Sequence, residues 1–326
     1  MKVATLIRAA MLALAAAAAP AAHAAEMKTI AISTIVEVPS LMDGKQGIIN
    51  ALADRGYVEG ETLQIEYQNA NGSMPTQQQI AKKFVGNAPD VIVPITTPTS
   101  QAMVASTKAI PIVFVMVTDP LKAKLIDRYE QPGANVTGVS DAAPIGQQLD
   151  LMLELLPDMK TVGFVYNPGL DNALAALAAL KEEAEKRNLA VVESAAPTTN
   201  EVILATKKLI GKVDAVYVPD DTTVVAAMEA IVKIGWDVKM PIFSGETSGV
   251  ERGAAASVGL NYYAVGRLAG EMVADVLDGK PVGTIDAVIA KDLNDKFETL
   301  INKSSAEKMG LTVPQSTLDA ATKIFQ

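Results

Sequence analysis

Short, almost wholly apolar runs alternate along this chain with longer stretches in which apolar residues recur at helical spacing. Residues 29–36, 62–67, 90–95 and 112–117 are β-branched and largely continuous in hydrophobicity, as expected of parallel strands covered on both faces. Residues 41–55, 76–85 and 99–108 lie between or beside them with helical spacing and stop at Gly or shortly before Pro. The alternation predicts an α/β, doubly wound architecture.

The pattern then repeats. Lys28-Thr29-Ile30-Ala31 is echoed by Lys160-Thr161-Val162-Gly163, and Lys82-Lys83-Phe84-Val85-Gly86 by Lys207-Lys208-Leu209-Ile210-Gly211. Asp90-Val91-Ile92-Val93-Pro94 returns in the run Asp214 to Pro219, and Pro111-Ile112-Val113-Phe114 in Pro241-Ile242-Phe243. Four echoes in one order, offset by about 124 to 132 residues, indicate a duplicated domain rather than a solenoid. The remainder predicts a strand over 254–260, a helix over 262–277, a strand over 285–290 and short helices after Lys303 and Ser316. The simplest arrangement has two Rossmann-like lobes joined by a multi-strand hinge: residues 25–141 with 252–281, and 142–251 with 282–326. Crossings are then expected near 139–144, 244–254 and 280–285, which suits closure about a hinge.

Upstream, Lys2 and Arg8 precede an apolar run over 9–19, and Ala22-His23-Ala24 offers a small-x-small cleavage site. That order predicts a secretory signal peptide over 1–24, and the apolar run is too short to span a bilayer as a helix. With no cysteine to carry a lipid, the mature chain is expected free in a periplasm. Its formal charge goes from −9 to −11, with 26 Lys and Arg against 37 Asp and Glu, which disfavours nucleic acid and anionic membranes as partners. His23 is the only histidine and leaves with the signal peptide. Ser-His-Asp and Cys-His catalysis lose their groups, and zinc, haem and iron–sulfur sites their usual ligands. No cofactor, no metal and no enzymatic activity are expected.

In open parallel sheets ligands bind beyond the carboxyl ends of the strands. Here those ends are polar: Glu37 and Ser40 after the first strand, Thr96, Thr97 and Gln101 after the third, Thr118 and Asp119 after the fourth. The second half supplies Tyr166 and Asn167, Asp220 and Asp221, Glu246, and Asn261. The segment from Thr96 to Gln101 opens a helix, so its free amides and hydroxyls suit a ligand carboxylate, while helix capping is the plainer role. Asp119, Asp220, Asp221 and Glu246 suit an ammonium group or a hard cation, or serve as caps. Tyr166, Tyr262, Tyr263 and Trp236 are candidates for stacking or for core filling.

Several runs also resemble a known family. Tyr67-Gln68-Asn69-Ala70, the run Val117-Thr118-Asp119-Pro120, Pro132-Gly133-Ala134-Asn135-Val136-Thr137-Gly138, Val165-Tyr166-Asn167-Pro168-Gly169 and Gly259-Leu260-Asn261-Tyr262-Tyr263 resemble the ABC transporter substrate-binding proteins that take up tryptophan or tyrosine. The resemblance implies a type I periplasmic-binding-protein fold, a monomer that captures an aromatic amino acid or related carboxylate, and separate permease and ATPase partners. Two positions depart from the family pattern: Val38 stands where members read His in Glu-His-Pro, and Asn261 where they read Asp. In the family that aspartate looks like a partner for the ligand's amino group, so Asn261 opens the place to neutral or carboxylate ligands. A sensory binding protein that reports to a membrane receptor would share the same fold and cleft, and a carboxylate-based enzyme is the third reading.

Overall fold

A computed structural model describes residues 27–293 and 297–326; the expected signal peptide lies outside them. The first lobe runs β1 (Lys28–Thr34), α1 (Pro39–Asp54), β2 (Leu63–Asn69), α2 (Met74–Asn87), β3 (Val91–Ile95), α3 (Thr97–Ser106), β4 (Ile112–Val117) and β5 (Val136–Ser140). The second continues with α4 (Ile145–Leu155), β6 (Thr161–Tyr166), α5 (Asp171–Glu185), β7 (Ala190–Ala195), α6 (Thr199–Lys207), β8 (Ala215–Val218), α7 (Thr222–Val225), α8 (Met228–Val238) and β9 (Ile242–Ser244). The chain closes with α9 (Ser248–Glu251), β10 (Ala256–Gly259), α10 (Tyr262–Leu277), β11 (Val288–Ile289), α11 (Ala290–Leu293), β12 (Glu298–Asn302), α12 (Lys303–Lys308), α13 (Gln315–Ala320) and β13 (Lys323–Phe325). Among the described residues no helix is long and apolar enough to cross a membrane.

The first sheet is parallel throughout, in the order β11-β5-β4-β3-β1-β2, and β3, β4 and β5 are buried at every position. The second sheet is parallel in the order β7-β6-β8-β9. The strand order reverses beside β1, which lies between β3 and β2, and beside β6, which lies between β8 and β7, so each sheet opens a crevice at the carboxyl ends of its strands.

The return of the chain differs from the expected division. Strand β10 belongs beside the second lobe: the Ala255 N–H donates to the Ile242 carbonyl at 2.7 Å, and Ala255 accepts from Asn302 N–H at 2.9 Å. Only α10 rejoins the first lobe, followed by β11, which pairs with β5. The crossings therefore fall at 140–145, 259–262 and 289–298 rather than near 244–254 and 280–285. The run 254–260 is buried in either lobe, so its composition carries no information about which edge it pairs with.

Helices α1 and α10 approach through glycine. A Cβ on Gly47 would lie 2.1 Å from the Tyr263 carbonyl oxygen, and one on Gly266 would lie 1.9 Å from that of Gly44. Those contacts permit only glycine, and they hold the start of α10, with Tyr262, beside the start of α1, with Ser40.

Candidate functional site

Between the lobes a cavity of about 30 Å³ is walled by both sheets' strand ends. From the first lobe come Val38, Leu41, Thr96, Thr97, Met116, Thr118 and, at the head of α10, Tyr262. Asp141 enters from the first crossing, and Asn172, Asp220, Thr222, Val225 and Glu246 from the second lobe. Among the described residues no Lys, Arg or His lines it.

The polar wall has two ends of different character. At one, β3 runs straight into α3 through Thr96, held at φ +83° and ψ 160°, a region costly for a β-branched residue. The Thr96 carbonyl closes the first turn by accepting the N–H (3.0 Å) and the hydroxyl (2.8 Å) of Ser100. No side chain caps the helix, and the Thr97 hydroxyl is buried without a partner. Uncapped amides at a helix start attract an anion.

The other end is a group of carboxylates. Asp141 is 4% exposed, and its Oδ1 and the Oδ1 of Asp220 are both shut off from solvent without a hydrogen bond. The Tyr262 hydroxyl lies 3.5 Å from Asp141 Oδ2 and 3.4 Å from Asp220 Oδ2. Glu246 completes the group; Ser40 donates to its Oε2 from across the cleft, and Ser248 donates to its Oε1 at 2.7 Å. Burial pushes the Asp141 carboxyl up to about 7, with the Glu246 charge adding to it. Burial also drives Asp220 well above the usual carboxylate range, helped by Asp141 and Glu246. The same burial and the three carboxylates raise the Tyr262 phenol. Asn172 Oδ1 is another buried, unpartnered acceptor on this wall. Four unsatisfied polar atoms around one cavity are a cost that a polar ligand removes.

Of the residues singled out in the sequence, Thr96, Thr97, Thr118, Asp220 and Glu246 meet at this cavity, and Ser40 touches it through Glu246. The others turn elsewhere. Asp221 caps α7, accepting from Thr223 N–H at 2.8 Å and from Asn167 N–H at 2.5 Å; burial pushes it up to about 6 against the pull of those amides. The Asn167 side chain donates to Thr223 Oγ1 and the Pro197 carbonyl. Asp119 binds Lys122 N–H at 2.9 Å, Tyr166 donates to Glu193 at 2.9 Å, and Glu37 is exposed and accepts from Tyr67. Gln101 donates to Asp171 at 2.7 Å, a bridge between the lobes outside the cavity. Asn261 caps α10 through Ala264 N–H at 2.9 Å and donates to Glu298 Oε1 at 2.9 Å, so this departure removes no charge from the cavity.

Sequence reasoning passed over Asp141, Asn172 and, apart from Val38, the apolar wall. Asp141 carries the signal used elsewhere, an acid directly after a buried strand, but it falls where the chain crosses between lobes. Tyr262 stood out only as a stacking candidate; its hydroxyl, not its ring face, is what meets the carboxylates.

Residues 29–325 match the family model described as ABC transporter substrate binding protein. A tyrosine-binding protein from Clostridioides difficile is 40% identical over 286 residues, 88% of this chain and 82% of that protein. The structure of an ABC domain from Streptococcus pneumonia in complex with L-Trp is 34% identical, with a TM-score of 0.86 over 92% of this chain and 100% of that one. A ligand-free, open substrate-binding protein with adhesive properties from Clostridium difficile is 35% identical over the same shares, with a TM-score of 0.69. At matched identity and coverage the chain superposes better on the complex than on the open form, in keeping with the Ser40–Glu246 and Gln101–Asp171 bridges that hold its lobes together. The chain has the type I periplasmic-binding-protein fold and belongs to the ABC transporter substrate-binding family, whose members are binding proteins and not enzymes.

Proposed function

We propose that this protein is the periplasmic solute-binding component of an ABC importer and that it captures an α-amino acid, an aromatic one in the first instance. The observation that carries the reading is the cavity's polarity. Three carboxylates without a cation, Asp141, Asp220 and Glu246, face a wall that ends in the uncapped start of α3. An α-ammonium group satisfies Asp141 Oδ1 and Asp220 Oδ1, and an α-carboxylate takes the amides and hydroxyl at Thr97. Charge-assisted hydrogen bonds of both signs are then available, roughly twice as strong as neutral ones. The side chain points to Val38, Leu41, Met116 and Val225. The cavity of about 30 Å³ holds little more than a water, so the ligand enters with the lobes parted and the apolar end widened. The tyrosine and tryptophan in the names of the two relatives support an aromatic side chain.

The N-terminal pattern over 1–24 supports export, and permease and ATPase subunits are the partners such a carrier requires. A thermal-shift screen of the chain from residue 25 tests the reading against amino acids, aromatic carboxylates, nucleosides and sugars. A ligand at a hundredfold excess over its Kd adds about 2.7 kcal/mol, visible as a shift of several degrees. Shifts from aromatic amino acids are expected; shifts from sugars or nucleosides alone would overturn it.

A further inference from the structure

The apolar end of the cavity contains an adjustable part. Strand β4 is irregular between Val115 and Val117, and the extra residue, Met116, sits at φ +56°, in the left-handed region. A bulge of this kind re-aims one side chain. Here the Met116 side chain, 3% exposed, lines the cavity and runs beneath α1 into a notch left by Gly44. A Cβ on Gly44 would stand 1.7 Å from Met116 Cε, while its nearest backbone neighbour, the Tyr262 carbonyl oxygen, would be 3.4 Å away. Gly44 is thus unlike Gly47 and Gly266, where an added Cβ meets rigid backbone at about 2 Å. What Gly44 makes room for is a flexible thioether with three rotatable bonds, which takes up whatever gap it is given.

Resting on the proposal that the cavity holds an α-amino acid, we propose that Gly44 and Met116 together set the size of side chain this protein accepts. With the notch open, Met116 parks its methyl against Gly44 and leaves the cavity, about 30 Å³ in this form, free to widen around a larger side chain as the lobes part. With the notch filled, the thioether must swing, and the space it turns into is the cavity beside Val38 and Leu41. Gly44 touches no ligand itself; it acts through Met116, which does.

Titration calorimetry with L-alanine, L-valine, L-phenylalanine, L-tyrosine and L-tryptophan tests this on wild type, Gly44→Ala, Met116→Ala and the double variant. One methylene of misfit in an apolar pocket is worth about tenfold or more in affinity. Gly44→Ala is expected to melt near wild type and to lose about that factor for the three aromatic ligands, with alanine and valine little changed. Met116→Ala in the Gly44→Ala background is expected to restore the aromatic ligands, because the displaced thioether is gone. Gly47→Ala is the contrast: it clashes with backbone and should lower the melting temperature without changing the order of ligands. Equal loss across the panel in Gly44→Ala, or no loss at all, would overturn the size-setting role and leave the amino-acid reading intact. A wild type that binds no member of the panel would overturn the amino-acid reading and this one with it.

Discussion

Replacing Asp141 by Asn should move stability and affinity in opposite directions. Burial holds the Asp141 carboxyl in its acid form up to about 7, whereas in the unfolded chain it ionises near the ordinary 3.8. Between those values the folded protein binds a proton that the unfolded chain does not. Stability is therefore full at low pH and falls as pH climbs through the window. The loss amounts to at most about 4 kcal/mol by pH 8. Asn has the same shape and no charge to bury. Ligand-free Asp141→Asn should thus melt several degrees above wild type at pH 8, and the gap should close toward pH 4.5. Affinity should go the other way. Losing a charged partner for the ligand's ammonium costs about 1.5–3 kcal/mol, roughly ten- to a hundredfold in Kd. Differential scanning calorimetry across pH and titration with an aromatic amino acid measure the two. A variant less stable than wild type at pH 8, or one with unchanged affinity, would refute the reasoning that these carboxylates are buried together in wait for a cation.

Asp221→Ala should cost about 1–2 kcal/mol, since it removes the α7 cap and a partner of Asn167 N–H, and chemical denaturation should register it with ligand preference unchanged. Asn261→Asp, which restores the family residue, should give no tenfold gain in affinity by calorimetry. It loses the donor to Glu298 and sets two acids side by side, so a slightly lower melting temperature is expected instead. Ser40→Ala removes a hydroxyl that ties α1 to Glu246 across the cleft. Small-angle scattering should then report a larger ligand-free radius of gyration than for wild type, and compaction to the wild-type value when ligand saturates.

The lobes were legible because β1, β3 and β4 are buried on both faces and so spell near-continuous apolar runs, while α1 and α2 show amphipathic spacing between them. Thr96, Thr97, Thr118, Asp220 and Glu246 were legible for a topological reason: carboxyl ends of parallel strands face the cleft whatever the side chains are. The same rule gave no way to separate them from Asp119, Asn167 and Asp221. A polar group at a strand end can bend back to the next backbone amides or look outward, and that choice depends on loop geometry one turn away. Asp221 and Asp220 are adjacent and chose differently. Pairing of β10 was hidden for another reason, because Ala254 to Gly259 presents the same small, buried surface to either sheet. Met116 left no trace in the sequence, since a bulge inside an apolar run keeps the run apolar.

The most direct test of the site is titration calorimetry with an aromatic amino acid, its N-acetyl derivative and the matching amine that lacks the carboxylate. Only the free amino acid presents an ammonium to Asp141, Asp220 and Glu246 and a carboxylate to the start of α3 at once. Binding of the amino acid alone, with both analogues weaker by a hundredfold or so, is the expected result. Equal binding of the N-acetyl derivative would mean that the buried carboxylates do not hold the ligand's ammonium, and the assignment of the cavity would fall.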